Sequence, residues 1–461
     1  MGADVEEHIQ VSEELAELGG CFGAWGDALN LALKPDKKKV GEESRAMNEG
    51  LAWACCGMRG WRETMEDASL VMPPGYLGGH WRRSALFGVF DGHGGEQVAR
   101  FAARQLPIVL AENPSKDADV ALTQSYARLD ELLRLPTAAA ELRDLTIPGN
   151  EIRDSAEGCG CTAVCCLIEG SQLVVANAGD SRAVLCRQGK AIALSEDHKP
   201  ELPRETARIE AADGFVQQET LAKGGFGYRV NGNLNLSRAL GDLRYKDPDV
   251  PIEKQVISGV PDIRQETWQL GRDEFVILAC DGVWECMTAQ QVVNFVRPRL
   301  PPPGKKVGLL PVLEALLDAC CANHPMQRGG DGCDNITAVI VRFEDPSAVA
   351  AAGDEPDIDE VVEENVSNEQ KRRLEAAVGQ SIQRLSDRRF RKAETLEEKA
   401  EREANAKAEW EEEVRRAQEA IKQQELRKKR REERELQESK SKKRLRCCAA
   451  VESDDEESGD E

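Results

Sequence analysis

The chain has 461 residues, 41% of them hydrophobic, and 61 Lys and Arg stand against 83 Asp and Glu, a formal net charge of −22. That length predicts one large domain with extensions, or two domains. The acidity argues against bulk nucleic-acid binding, because such a surface repels phosphate, and no apolar run approaches the roughly 18 residues of a membrane-spanning helix.

Residues 1–50 are weakly patterned and read as an N-terminal extension, with Lys37, Lys38 and Lys39 as a solvated loop. No apolar signal-peptide core is present there, and Glu6 stands where a myristoylation pattern at Gly2 wants Ser or Thr. The character changes over 51–345, where short apolar runs alternate with Gly- and Asp-rich breaks. SALFGVF (84–90), TAVCCLI (162–168), QLVVANA (172–178), RAVLC (182–186), EFVILAC (274–280) and ITAVIVRF (336–343) read as strands. Helices are expected from Gln97 to an interruption at Pro107, and around 202–212, 288–297 and 310–321. Hairpins mixed with helices fit an α+β layered domain better than a βαβ array.

Residues 346–366 form an acidic linker, and 367–446 are dense in Glu, Lys, Arg, Gln and Ala, the composition of a long charged helical arm. Its apolar stripe is too short-lived for a coiled-coil assignment. The blocks RKKRREER (427–434) and SKSKKRLR (439–446) read either as nuclear-import signals or as a solvated charged face. Residues 447–461 are an acidic tail. The arm suits docking of a protein partner or autoregulation. Several of the 15 cysteines stand side by side, as in Cys165-Cys166 and Cys320-Cys321, which suits neither a disulfide framework nor zinc spacing. A reducing setting, cytoplasmic or nuclear, is expected.

The chemical signal is the Asp that follows or precedes an apolar strand. Asp91-Gly92 and Asp281-Gly282 end two strands, Asp180 follows another, Asp334 precedes a fourth, and Glu66-Asp67 add two acids. A single Asp-Gly is most simply a turn. Several carboxylates gathered at strand ends would repel one another unless cations neutralised them, and oxygen-only ligands suit Mg²⁺ or Mn²⁺.

These segments resemble the metal-dependent protein phosphatases of the PPM (PP2C) family. GWRETMEDA (60–68), FGVFDGHGG (87–95), GCTAV (160–164), ANAGDSRAVL (176–185), EDHKP (196–200), RVNGNLNLSRALGD (229–242), ILACDGVWECM (277–287) and GCDNITAVIV (332–341) run in family order. EKQVISGVPDI (253–263) and DGCDNIT (331–337) look most similar to the nuclear gamma isoform of animals, without its long acidic insert. The resemblance implies a four-layer αββα sandwich of two antiparallel sheets flanked by helices. It implies hydrolysis of phosphoserine and phosphothreonine in proteins by a metal-bridging hydroxide at a binuclear Mg²⁺/Mn²⁺ centre. Asp91 would bridge the metals, Gly92 would lend a carbonyl, and Asp281 and Asp334 would complete the ligand set. Glu66 and Asp67 would bind metal or orient its waters, and Asp180 with Asp281 resembles a weaker third-metal site. Arg62 would grip phosphate through its planar fork, and His93 would protonate the leaving oxygen. Thr162 and Arg238 are candidate substrate or flap residues, Arg238 either anchoring the flap or touching substrate. His198 is expected to be structural or flap-adjacent. The stretch 217–228 lies in the flap and looks longer than usual. Cys161 and Cys333 lie beside site motifs, as inert buried thiols or as points of oxidation. The competing reading is an inactive scaffold that works through its arm.

Overall fold

The computed structural model describes residues 34–46, 50–220, 225–302, 308–324 and 330–345. The expected linker, arm and tail, the basic blocks and residues 1–33 lie outside the described residues.

The strands in chain order are β1 Asp36–Ala46, β2 Leu51–Gly60, β3 Ala68–Met72, β4 Ala85–Phe90, β5 Gly92–His93, β6 Gly160–Cys161, β7 Ala163–Glu169, β8 Gln172–Ala178, β9 Arg182–Arg187, β10 Lys190–Ala193, β11 Val216–Thr220, β12 Phe226–Val230, β13 Leu240–Gly241, β14 Asp262–Thr267, β15 Asp273–Ala279 and β16 Ile336–Phe343. The helices are α1 Gln97–Glu112, α2 Ala118–Leu133, α3 Ala138–Asp144, α4 Pro203–Ala211, α5 Asp281–Trp284, α6 Ala289–Val296 and α7 Leu310–Cys320.

Two antiparallel sheets carry the domain, one in the order β1-β2-β16-β15-β9-β10 and the other β14-β8-β7-β4-β3. Side chains alternate across a strand, so a strand covered on both faces reads as an unbroken apolar run. In β4, Ala85, Phe87 and Val89 enter the core between the sheets, whereas Leu86 and Phe90 face the helical layer. In β15, Val276 and Leu278 face the other sheet, and Phe275 and Ile277 pack towards α6 and α7. With α1 and α2 against β4 and β7, and α6 and α7 against β2, β15 and β16, the layers run helix, sheet, sheet, helix.

Three expectations need correction. The boundary at 51 cuts a sheet, because β1 pairs with β2 from Asp36↔Gly60 to Ala46↔Leu51. Lys37, Lys38 and Lys39 therefore lie on an edge strand, whose half-exposed face explains its polar pattern. Helix α1 runs through Pro107 to Glu112, because the packing of Phe101, Leu106 and Leu110 outweighs the lost backbone hydrogen bond. Helices α2 and α3 and the β11–β12 hairpin were not expected.

Register brings the acidic ends together. Ala68 pairs with Phe90, so Asp67 lies beside Asp91. Ala279 pairs with Ala338, which sets the end of β15 beside the start of β16 and thus Asp281 beside Asp334. Met58 pairs with Ile336, which carries the loop bearing Arg62 to the same edge.

Candidate metal centre

Asp91, Asp180, Asp281, Asp334, Glu66, Arg62 and His93 line one cavity of about 410 Å³. Ligand-capable oxygens of Asp91, Asp180 and Asp281 lie within 4.8 Å of one another. Asp67, Asp91 and the thiol of Cys280 form a second such group.

The glycines after Asp91 and Asp281 are not turn residues. Neither has a positive φ. Each makes room for a neighbouring chain: a Cβ on Gly92 would lie 2.2 Å from Glu66 O, and one on Gly282 would lie 2.2 Å from Asn335 O. The Asp-Gly pairs thus let segments carrying carboxylates close on one another.

Asn335 fixes this closure. Its Nδ2 donates to Arg59 O and Thr64 O at 2.9 Å each, and its Oδ1 accepts from Glu66 N at 2.8 Å. The loop that carries Arg62 and Glu66 is thereby stapled beside Asp334. Glu66 Oε1 accepts from Thr64 Oγ1 at 2.8 Å and Oε2 accepts from Gly95 N at 2.9 Å. Arg62 stands at the rim, its side chain 54% exposed, with Nη2 donating to Asp334 Oδ2 at 2.7 Å. Burial works against the Arg62 cation, but Asp334, Asp281 and Asp91 outweigh it and raise its pKa.

The floor resists ionisation. Burial, followed by the charges of Asp281, Asp67 and Asp334, pushes Asp91 well above the usual carboxylate range. Burial and then Asp180 and Asp334 do the same to Asp281, and burial pushes Asp67 up to about 7. Both Asp67 carboxylate oxygens are buried and, among the described residues, make no close hydrogen bond; Thr337 and Cys280 lie near enough only to offset part of the rise. A buried carboxylate without a partner is costly. A hard divalent cation would satisfy it and relieve the mutual repulsion. The residues therefore fit a Mg²⁺ or Mn²⁺ site in donor type and in electrostatic need.

His93 Nε2 pairs with Asp242 Oδ2 at 2.6 Å, and Asp242 is almost wholly buried. Burial would lower the imidazole pKa, but Asp242 outweighs it and raises it. Asp242 adopts φ 49°. This left-handed conformation costs a residue with a side chain about 1 kcal/mol, and is the kind of strain that persists where surroundings fix a functional group. A Cβ on Gly160 would lie 2.3 Å from Asp242 Oδ2 and 2.7 Å from His93 Nε2, so only glycine leaves space for the pair. Asp242 and Asn335 were both within quoted motifs yet received no role. Their partners are 149 and 269 residues away in sequence.

The two candidate substrate or flap residues both make supporting contacts. Thr162 is 1% exposed; its Oγ1 accepts from Asp91 N at 3.2 Å and lies 2.8 Å from Ser181 Oγ, while its N donates to Asp91 O at 2.9 Å. It holds the Asp91 backbone from the wall of the cavity. Arg238 is buried and bound to Glu205 (Nη2–Oε1 2.6 Å) and Asp262 (Nη1–Oδ1 2.8 Å), which anchors the base of the flap, the first of the two roles expected for it. His198 is structural: its Nδ1 accepts from Gly179 N at 3.2 Å, holding the turn that presents Asp180. Lys199 Nζ pairs with Asp180 Oδ2, which partly neutralises the expected third-metal carboxylate.

A family model described as Protein phosphatase 2C matches residues 52–329. Probable protein phosphatase 2C 11 of Oryza sativa subsp. japonica is 38% identical over 68% of this chain and 90% of its own length. Probable protein phosphatase 2C 6 of Paramecium tetraurelia is 40% identical over 64% of this chain and 94% of its own. A crystal structure of a phosphatase from a pathogenic strain of Toxoplasma gondii superposes with a TM-score of 0.50 at 26% identity, covering 67% of this chain and 96% of that one.

Proposed function

Because the chain belongs to the protein phosphatase 2C family, and is a serine/threonine protein phosphatase, we propose that its strand-end carboxylates hold two divalent cations for hydrolysis of phosphoserine and phosphothreonine. The observation that carries this is the crowding of buried Asp67 with half-buried Asp91 and Asp281, whose carboxyls the cations among the described residues do not suffice to ionise. Asp91, the Gly92 carbonyl, Asp281 and Asp334 would hold the cations, with Glu66 and Asp67 ordering the water around them. Bound there, Mg²⁺ or Mn²⁺ would supply Lewis-acid polarisation of the phosphate and acidify water near neutral pH.

The chain's own groups do the rest. Arg62 is tethered to Asp334 yet more than half exposed, so it is free to offer its fork to two phosphate oxygens. Asp242 takes one imidazole N–H of His93 and favours the protonated ring. Nδ1–H then carries the proton that the leaving serine or threonine oxygen needs. The buried Thr162–Asp91 and Asn335–loop contacts keep these groups in place, since small displacements of reacting groups cost much of the rate.

Full-length protein incubated with Mn²⁺ is expected to release phosphate from a phosphothreonine peptide and to stop on addition of EDTA. Unchanged turnover in excess chelator would remove the metal assignment. The inactive-scaffold reading finds no support in a site where Arg62, Asp91, His93, Asp281 and Asp334 converge. The likeness to the gamma isoform rests on its two segments alone. For the charged segment 367–446 we propose partner docking: a chain ending at residue 345 should keep its turnover of a phosphopeptide and lose the partner, and a loss of turnover would contradict this.

A further inference from the structure

A second group of sulfur atoms lies behind the Arg62–Asp334 edge of the cavity. Cys286 follows α5, Cys321 follows α7, and Cys333 immediately precedes Asp334. The Cys286 thiol donates to Cys320 O at 3.3 Å. Ala322 N donates to Gly332 O at 2.9 Å, and a Cβ on Gly332 would lie 2.3 Å from Cys320 O. The chain on either side of Cys321 is therefore packed against the chain that leads into Cys333. Burial pushes the Cys333 thiol up to about 11, so it is the packing of these segments, and not an acidic thiol, that favours a link. Cys286 and Cys333 are partly exposed and Cys321 is buried, so Cys333 offers the entry point and Cys321 a thiol on the segment whose backbone is bonded next to it.

The cluster is tied to the site from both sides. Cys333 is bonded to the segment of Asp334. Trp61 Nε1 donates to Ala322 O at 2.8 Å, and Arg62 is the next residue. A covalent link here would fix or displace both the phosphate-gripping arginine and its aspartate partner.

We propose that Cys333 forms a reversible intramolecular disulfide with a thiol of this cluster, Cys321 or Cys286, and that the bond lowers phosphatase activity by shifting Asp334 and Arg62. With hydrogen peroxide as oxidant, the Cys333 sulfur attacks one peroxide oxygen, giving sulfenic acid and one water. The neighbouring thiol then attacks that sulfur, the S–S bond forms, and a second water leaves. Two thiols lose two hydrogens and two electrons, and a dithiol reductant restores them.

The activity arm rests on the phosphatase reading; the mapping arm does not. Full-length protein is treated with hydrogen peroxide, excess thiols are alkylated, and peptides are mapped by mass spectrometry without reduction. The expected result is a Cys333 peptide cross-linked to a Cys321 or Cys286 peptide, with the loss of two hydrogens. Phosphopeptide turnover should fall in parallel and return with dithiothreitol, and Cys333→Ser should keep its untreated turnover and resist the oxidant. Circular dichroism after oxidation checks that the fold is retained. Alkylated Cys333 in oxidised, folded protein, or Cys333 carrying only a sulfinic or mixed-thiol adduct, overturns the proposal. So does equal inactivation of wild type and Cys333→Ser. Cross-linking without any change in turnover rejects the regulatory half.

Discussion

Two buried or half-buried acidic regions in this domain are treated in opposite ways. Beneath the flap, Glu205 meets Arg238 at 2.6 Å and Arg208 at 2.9 Å, while Asp262 meets Arg204 at 2.7 Å and Arg238 at 2.8 Å. Burial raises the Glu205 pKa, but the two arginines outweigh it and hold it down at about 2. At the cavity floor, Asp67, Asp91 and Asp281 face chiefly one another, and their pKa values rise. Lys199 at Asp180 and Arg62 at Asp334 touch only the margins of that cluster. One region is completed by the chain itself, whereas the other, on the function proposed above, would be completed by cations. Buried carboxylates therefore do not by themselves mark a metal site; the absence of cationic partners does.

The largest effect should come from the floor. The double variant Asp91→Asn/Asp281→Asn is expected to lose on the order of 10⁴-fold in phosphopeptide turnover, about 5 kcal/mol of barrier. In EDTA, however, it should melt no lower than wild type, because it removes uncompensated buried charge. A large fall in its melting temperature in EDTA would mean that the floor is structural.

The flap base should show the reverse balance. Arg238→Met leaves Glu205 to Arg208 and Arg204 and removes one partner of Asp262, and is expected to cost about 2 kcal/mol in denaturant unfolding, with or without Mn²⁺. A variant as stable as wild type would break the contrast between the regions.

At the edge of the floor, Asp242→Asn removes the charge that favours protonated His93. A loss in kcat of about 10²-fold, with little change in KM, is expected. A rise in KM alone would assign Asp242 to substrate binding.

The smallest effect is the acid limb of stability. The folded Glu205 pKa of about 2 lies below its ordinary 4.5. The native state then binds fewer protons than the unfolded state in that window. Its contribution is full above about 4.5 and is lost as pH falls towards 2. Acid unfolding of Glu205→Gln, followed by circular dichroism, should show a shallower loss across that window than wild type; an equal slope would contradict the role of the pair.

Much of this was legible in the sequence where local pattern and structure agree. β8 and β16 match their expected bounds because both faces of those strands are covered and the apolar run is continuous. The carboxylates were legible because each stands at a strand end. β1 was missed because an edge strand with an exposed face leaves a polar pattern such as KKKVGEES. The β11–β12 hairpin, polar and half-exposed, was missed for the same reason. Asp242 and Asn335 stayed silent because their meaning lies in partners brought near only by sheet register. For Thr162 and Arg238 the sequence leaves a supporting and a substrate role both open, because proximity to site motifs does not say which contacts a side chain makes.

The central claim is that the floor is completed by cations. Isothermal titration of Mn²⁺ into the full-length, chelator-stripped chain tests it most directly. Two ions per chain are expected for wild type, falling to at most one weakly held ion in Asp91→Asn/Asp281→Asn, with Arg238→Met leaving the count unchanged. A folded wild-type chain that takes up no Mn²⁺, or a double variant that binds it as wild type does, would contradict the claim.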